Sequence, residues 1–144
     1  MNKAEKIWSM DSEKMRIFLL REIEETGSEW EALIKQHING CQKGKILDVG
    51  CGTGFISLIF AKIGCEVIAI DNNIAMLKAA AKISEELGFL NKITFMLKDA
   101  ESMGFTDNTF DSVVSRHAFW LFNNPKKVYG EWYRILKSGG CMLN

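Results

Sequence analysis

The sequence has a single proline in 144 residues, which excludes a Pro-rich linker or a disordered chain of that type. It has no excess of either charge: Lys plus Arg number 18, Asp plus Glu number 18, and the formal net charge is zero. A broad electrostatic grip on nucleic acid or on an anionic membrane needs many cationic contacts, so neither partner is expected. No apolar run approaches the ~20 residues that span a bilayer. The N-terminus, Met1-Asn2-Lys3-Ala4-Glu5-Lys6, lacks the apolar stretch of a signal peptide, so a cytoplasmic location is expected. Four cysteines (Cys41, Cys51, Cys65 and Cys141) form no C-x-x-C pair and meet only two histidines. No metal site is expected, and the thiols read as reduced, small, mostly buried side chains.

What is present is material for one core: 47% of the residues are hydrophobic and 25% are charged. Residues 1–40 read as a helical cap segment, and 41–144 as the core proper. In the first part, Asp11 or Ser12 can cap a helix running to about Glu25, with Met15, Phe18, Leu19 and Ile23 as its apolar stripe and Gly27 as its stop. Ser28-Glu29-Trp30-Glu31 has the capping-box pattern, which predicts a second helix to about Ile38.

From Lys45 onward strands and helices alternate. Strands are expected from Lys45 to Val49, Glu66 to Ile70, Ile93 to Leu97, Asp111 to Ser115, and from Cys141 onward. Helices are expected from Gly54 to Ile63, from Asn73 to Leu87, and after the cap Asn124-Pro125. Such alternation implies a parallel sheet with right-handed crossovers.

The most informative segment is Asp48-Val49-Gly50-Cys51-Gly52-Thr53-Gly54, a glycine turn between the first strand and a helix. Glycines there let a ligand approach the backbone. Dinucleotide-binding folds carry G-x-G-x-x-G at this corner, whereas here the spacing is G-x-G-x-G. An acid at Asp48, facing the mouth of the loop, would repel a pyrophosphate and attract a cation. The ammonium and sulfonium of S-adenosylmethionine fit that electrostatic requirement. Asp71, at the end of the second strand, can accept hydrogen bonds from ribose hydroxyls, although Asp is also a good helix cap before Asn72-Asn73. Asp99, before Ala100, can accept from an exocyclic amine or serve as a solvated loop acid. Met76 can lie on a purine face or in ordinary core.

Taken in order, these segments resemble a class I S-adenosylmethionine-dependent methyltransferase of the small-molecule type, over roughly Lys43 to Asn144. The carriers are the Asp48-to-Gly54 loop, Asp71 in Ile-Asp-Asn-Asn-Ile-Ala-Met-Leu, the Asp99-Ala100-Glu101 step, and Phe105-Thr106-Asp107-Asn108-Thr109-Phe110-Asp111. A fifth is Ile135-Leu136-Lys137-Ser138-Gly139-Gly140, where the family usually has Pro in place of Ser138. The resemblance implies a Rossmann-like doubly wound sheet of order 3-2-1-4-5, with strands six and seven beyond the chain. It implies S-adenosylmethionine held by Asp48, Gly50, Cys51, Gly52, Gly54, Asp71, Asn72, Met76, Asp99, Ala100 and Ser115. It places Ser115 and Arg116 where the fourth strand opens towards the transferred methyl.

Arg116 can pair bidentately with a substrate carboxylate or phosphate, and His117 can act as a general base; both can equally make structural bonds at the strand end. Phe119 and Trp120 can wall a pocket or pack on the next helix, and Trp8, Met10 and Trp30 can form a lid. The family's Asn/Asp-Pro-Pro-aromatic motif for planar nitrogens is absent. The expected function is methyl transfer to a small-molecule acceptor by in-line displacement, which does not require an obvious catalytic residue. A non-catalytic S-adenosylmethionine-binding module and an NAD-dependent oxidoreductase are the alternatives. An end inside the fifth strand leads us to expect a truncated core that binds cofactor, pairs with a second copy through its open sheet edge, and has lost turnover.

Overall fold

The computed structural model describes residues 11–38, 44–116 and 122–144. Helix α1 (Ser12–His37) is followed by β1 (Lys45–Val49), α2 (Phe55–Ile63), β2 (Glu66–Asp71) and α3 (Ile74–Glu86). Then come β3 (Ile93–Leu97), β4 (Phe110–Val114), α4 (Pro125–Ile135) and β5 (Leu136–Leu143). The five strands form one parallel sheet in the order β3-β2-β1-β4-β5. The parallel sheet is the one expected from the alternation of elements, and its order is the Rossmann-like order that the family resemblance implies.

Strand alternation sorts the core into two faces. On one face Ile46, Val67, Ala69 and Val114 pack with Phe60 of α2, Ile83 of α3 and Leu19, Ile34 and Ile38 of the α1 region. On the other, Leu47, Val49, Ile70 and Val113 pack with Val128, Trp132 and Ile135 of α4. α1 is thus built into the core. Among the described residues, no helix is long and apolar enough to cross a membrane.

Three expectations are corrected. α1 is one helix of 26 residues, not two, and it runs straight through Gly27. Glycine disfavours a helix interior by about 1 kcal/mol, too little to stop a helix held on both sides by packing. Gly27 is buried, and a Cβ there would lie 3.5 Å from Ile23 and 3.8 Å from Ile59 of α2. The Ser28 capping box therefore does not form, and Glu31 instead pairs with Lys35 and Lys62. Asp11 is the cap, accepting from the Lys14 amide at 2.8 Å. Second, β5 starts at Leu136, not Cys141: Leu136 pairs with Phe110, and regular pairing resumes at Cys141 opposite Ser112. Ser138-Gly139-Gly140 bulges out between them, with Gly139 at φ 80. Third, β4 is shifted by one residue to Phe110–Val114, leaving Ser115 just past its end.

Candidate functional site

The corner after β1 turns on three glycines with left-handed backbone: Gly50 at φ 70, Gly52 at φ 55 and Gly54 at φ 90. A side chain in that region costs about 1–2 kcal/mol. The loop is pinned to the neighbouring strand, because the Gly50 and Cys51 amides both donate to the Ile70 carbonyl at 2.9 Å. The Gly54 amide donates to the Cys51 carbonyl, and the Gly54 carbonyl accepts from Leu58 to open α2. Cys51 is buried, and burial pushes its thiol well above the usual range, so it is inert.

Asp71, the last residue of β2, ties two turns together. One carboxylate oxygen accepts from the Gly52 amide at 2.9 Å, the other from the Asn73 amide at 2.9 Å. The helix cap is Asn73, whose side chain accepts from Ala75 and Met76 amides. Asp71 is therefore free of the capping role that competed for it. A carboxylate offers about four lone-pair sites, so capacity remains for a ligand hydroxyl. Asn72 is exposed in the same turn.

Asp48 is corrected. It does not face the mouth of the loop. It shares a strand face with Ile46, two residues earlier, and so points at α2, where it is 2% exposed. Its carboxylate accepts from the Ser57 hydroxyl at 2.7 Å. Burial raises its pKa to about 7, the Ser57 hydrogen bond opposes this, and the charge of Asp71 adds to the rise. Asp48 thus braces the loop from beneath. Ser57, missed from the sequence, is the lone hydroxyl in an otherwise apolar Phe55–Ala61 run, and that was its available signal.

At the end of β3 the Lys98 amide donates to the Asp71 carbonyl at 3.1 Å, which brings the Asp99 loop beside the Asp71 turn. Asp99 is exposed and accepts from the Glu101 amide at 2.9 Å; Ala100 is half-buried. Met76 is 2% exposed and packs with Met15 of α1 and Ala79. Its methyl would lie 3.6 Å from a Cβ at Gly52, so it forms part of the floor next to the loop.

Ser115, just beyond β4, closes the other side. Its hydroxyl donates to the Val49 carbonyl at 2.9 Å and its amide donates to Leu143 at 2.9 Å. Arg116 follows. Its guanidinium lies 4.2 Å from the Phe55 ring centre and 5.1 Å from that of Trp30, and it pairs with Glu22 of α1. Burial lowers its pKa to about 10, so the charge persists at neutral pH. Neither Glu22 nor Phe55 had a sequence signal for this role. His117, Phe119 and Trp120, like Trp8 and Met10, lie outside the described residues.

The structure therefore gathers Gly50, Gly52, Gly54, Asp71, Asn72, Asp99 and Ala100 at the carboxyl ends of β1, β2 and β3, with Ser115 and Arg116 across the β1–β4 switch. The corner fits S-adenosylmethionine: left-handed glycines leave the backbone bare, two acids stand by, and neither Gly50–Gly54 nor Asp71–Asn73 contains a Lys or Arg.

Comparison with known proteins points the same way. Residues 47–143 match the methyltransferase domain family. The chain is 32% identical over 114 residues to demethylmenaquinone methyltransferase of Renibacterium salmoninarum, covering 79% of this chain and 46% of that protein. It is 36% identical over 96 residues to sterol 24-C-methyltransferase of Eremothecium gossypii, covering 66% of this chain and 26% of that protein. Among solved structures, a Methanococcus maripaludis protein provisionally described as an S-adenosyl-L-methionine-dependent methyltransferase superposes with a TM-score of 0.79. It is 24% identical and covers 93% of this chain and 63% of that one, a likeness of fold. The chain spans less than half the length of these two curated relatives. With the family match spanning residues 47–143 and the sheet order in agreement, the chain belongs to the class I methyltransferase domain family.

Proposed function

We propose that the chain binds S-adenosylmethionine in the glycine corner and directs its methyl group to a small-molecule acceptor at the carboxyl end of β4. The observation that carries this reading is the pairing of three left-handed glycines with Asp71, whose two oxygens hold Gly52 and Asn73. The bound group would supply an electrophilic methyl on a positively charged sulfur. The glycine backbone would lie along its methionine portion, Asp71 would accept from ribose hydroxyls, and Asp99 with the Ala100 amide would face the base.

The residues' remaining work is to align and to exclude water. α1 suits the second task, because Met15 packs on Met76 and Leu19 enters the core beneath. The two relatives are named for unlike acceptors, demethylmenaquinone and a sterol. The acceptor of this chain is therefore to be read from residues outside the shared glycine corner.

A radiolabelled methyl-transfer screen over a broad acceptor panel, run beside calorimetry with S-adenosylhomocysteine, tests this. Saturable binding with transfer to one acceptor is the expected result. Binding without transfer to any acceptor would favour the non-catalytic module instead.

A further inference from the structure

The guanidinium of Arg116 is held in an unusual state of partial use. It lies against both the Phe55 and Trp30 rings, whose centroids are 6.2 Å apart at 81°. Its Nη2 donates to Oε1 of Glu22, 94 residues earlier in the chain. Its Nε is buried and has no hydrogen-bond partner among the described residues. An Nε/Nη2 edge is a two-donor fork matched to the two oxygens of a planar carboxylate. Here one tine is filled by Glu22 and the other is empty. Leaving a buried donor unpaired is costly, so a purely structural ion pair gains by filling both.

The position of the fork gives the empty tine a meaning. Arg116 follows Ser115, which is bonded to Val49 at the head of the glycine loop, and its guanidinium covers Phe55, the residue directly after Gly54. The fork thus stands at the rim of the corner where the acceptor would enter. The group on it in this structure, Glu22, belongs to the helix that covers that corner.

We infer that Arg116 is the receptor for a carboxylate on the methyl acceptor, and that Glu22 occupies it in the acceptor-free chain. The inference deepens the methyltransferase reading and rests on it for the identity of the ligand as an acceptor. An incoming carboxylate takes both Nε–H and Nη2–H, and the Glu22 side chain swings away while α1 stays packed in the core. No covalent step is involved in the exchange. Trp30 and Phe55 hold the guanidinium in place while its anion changes, because cation–π attraction does not depend on which carboxylate sits at the edge.

The test uses the full chain, with benzoate as the carboxylate probe and benzamide as its uncharged counterpart. Calorimetric titrations are run on the parent, Glu22→Ala, Arg116→Met and Arg116→Lys combined with Glu22→Ala, each checked for folding by circular dichroism. Removing the internal competitor with Glu22→Ala is expected to tighten benzoate binding at least tenfold. Arg116→Lys keeps the charge and loses the fork, and is expected to weaken benzoate at least fivefold in the Glu22→Ala background. Arg116→Met should abolish binding, and benzamide should bind none of the four. Equal benzoate affinity in the parent and Glu22→Ala, or binding that survives unchanged in Arg116→Lys, would overturn the receptor. Should Arg116→Met fail to fold, the other two variants decide. S-adenosylhomocysteine is titrated in parallel. If it fails to bind the parent, the cofactor reading fails, while the benzoate series still reports on Arg116 independently.

Discussion

The glycine corner and the Arg116 corner lie at the same end of the sheet and are built in opposite ways. The first is made of backbone: amides of Gly50, Cys51, Gly52 and Asn73 go to Ile70 and Asp71, partners brought together by one strand pairing. The second is made of long side chains from distant segments: Arg116, Glu22, Trp30 and Phe55. A backbone site keeps its shape through many sequences, which suits a cofactor shared across a family. A side-chain site can be rewritten one residue at a time, which suits an acceptor that differs among relatives.

The sharpest way to break this contrast is in the backbone corner. Asp71→Ala removes the acceptor of two loop amides as well as the proposed ribose contact. Hydrogen bonds to charged groups are worth about 1.5–3 kcal/mol each, so S-adenosylhomocysteine affinity should fall about a hundredfold, as read by calorimetry. An unchanged affinity would remove Asp71 from the site.

Of the effects on stability, the largest is a pH effect beneath the loop. The Asp48 pKa stands near 7 in the folded chain against an ordinary 3.8. Between those values the unfolded chain has released the proton that the folded chain keeps. Stability from this group is therefore full below about 3.8 and is lost as pH rises towards 7, by an amount on the order of 4 kcal/mol. Asp48→Asn should flatten that slope in urea denaturation series run across the window.

In the side-chain corner, Glu22→Ala leaves Arg116 charged without its partner. The two side chains are only 17% and 18% exposed, so unfolding free energy should drop by about 2 kcal/mol, less than for a fully buried pair. The smallest effect is expected at Gly27→Ala in α1. The added Cβ meets Ile23 and Ile59 at ordinary contact distances of 3.5 and 3.8 Å, so the helix should gain up to about 1 kcal/mol. A loss there instead would show α1 to be packed more tightly on α2 than its contacts imply.

The same contrast explains what could be read from sequence. The Asn124 cap and the alternation of strands and helices follow from short spacings, because each depends on residues a few positions apart; the strand order came with the family resemblance, and the cap of α3 is Asn73 where the sequence offered Asp71. Gly27 was misread because a glycine's local preference is weak and Ile59, which holds it in place, is far along the chain. The direction of Asp48 follows from strand alternation, yet its acid chemistry pointed towards the mouth of the loop; the pleat decided, and Ser57 met it. The Arg116 corner was half legible. Arginine chemistry suggested an anion, but nothing local could name Glu22, 94 residues away, as the anion already there.

The central claim is that this corner takes S-adenosylmethionine and not a dinucleotide. Calorimetric titration of the full 144-residue chain with S-adenosylhomocysteine, and separately with NAD, tests it most directly. The account predicts saturable one-to-one binding of S-adenosylhomocysteine and no heat from NAD. Tight NAD binding with none for S-adenosylhomocysteine would contradict it.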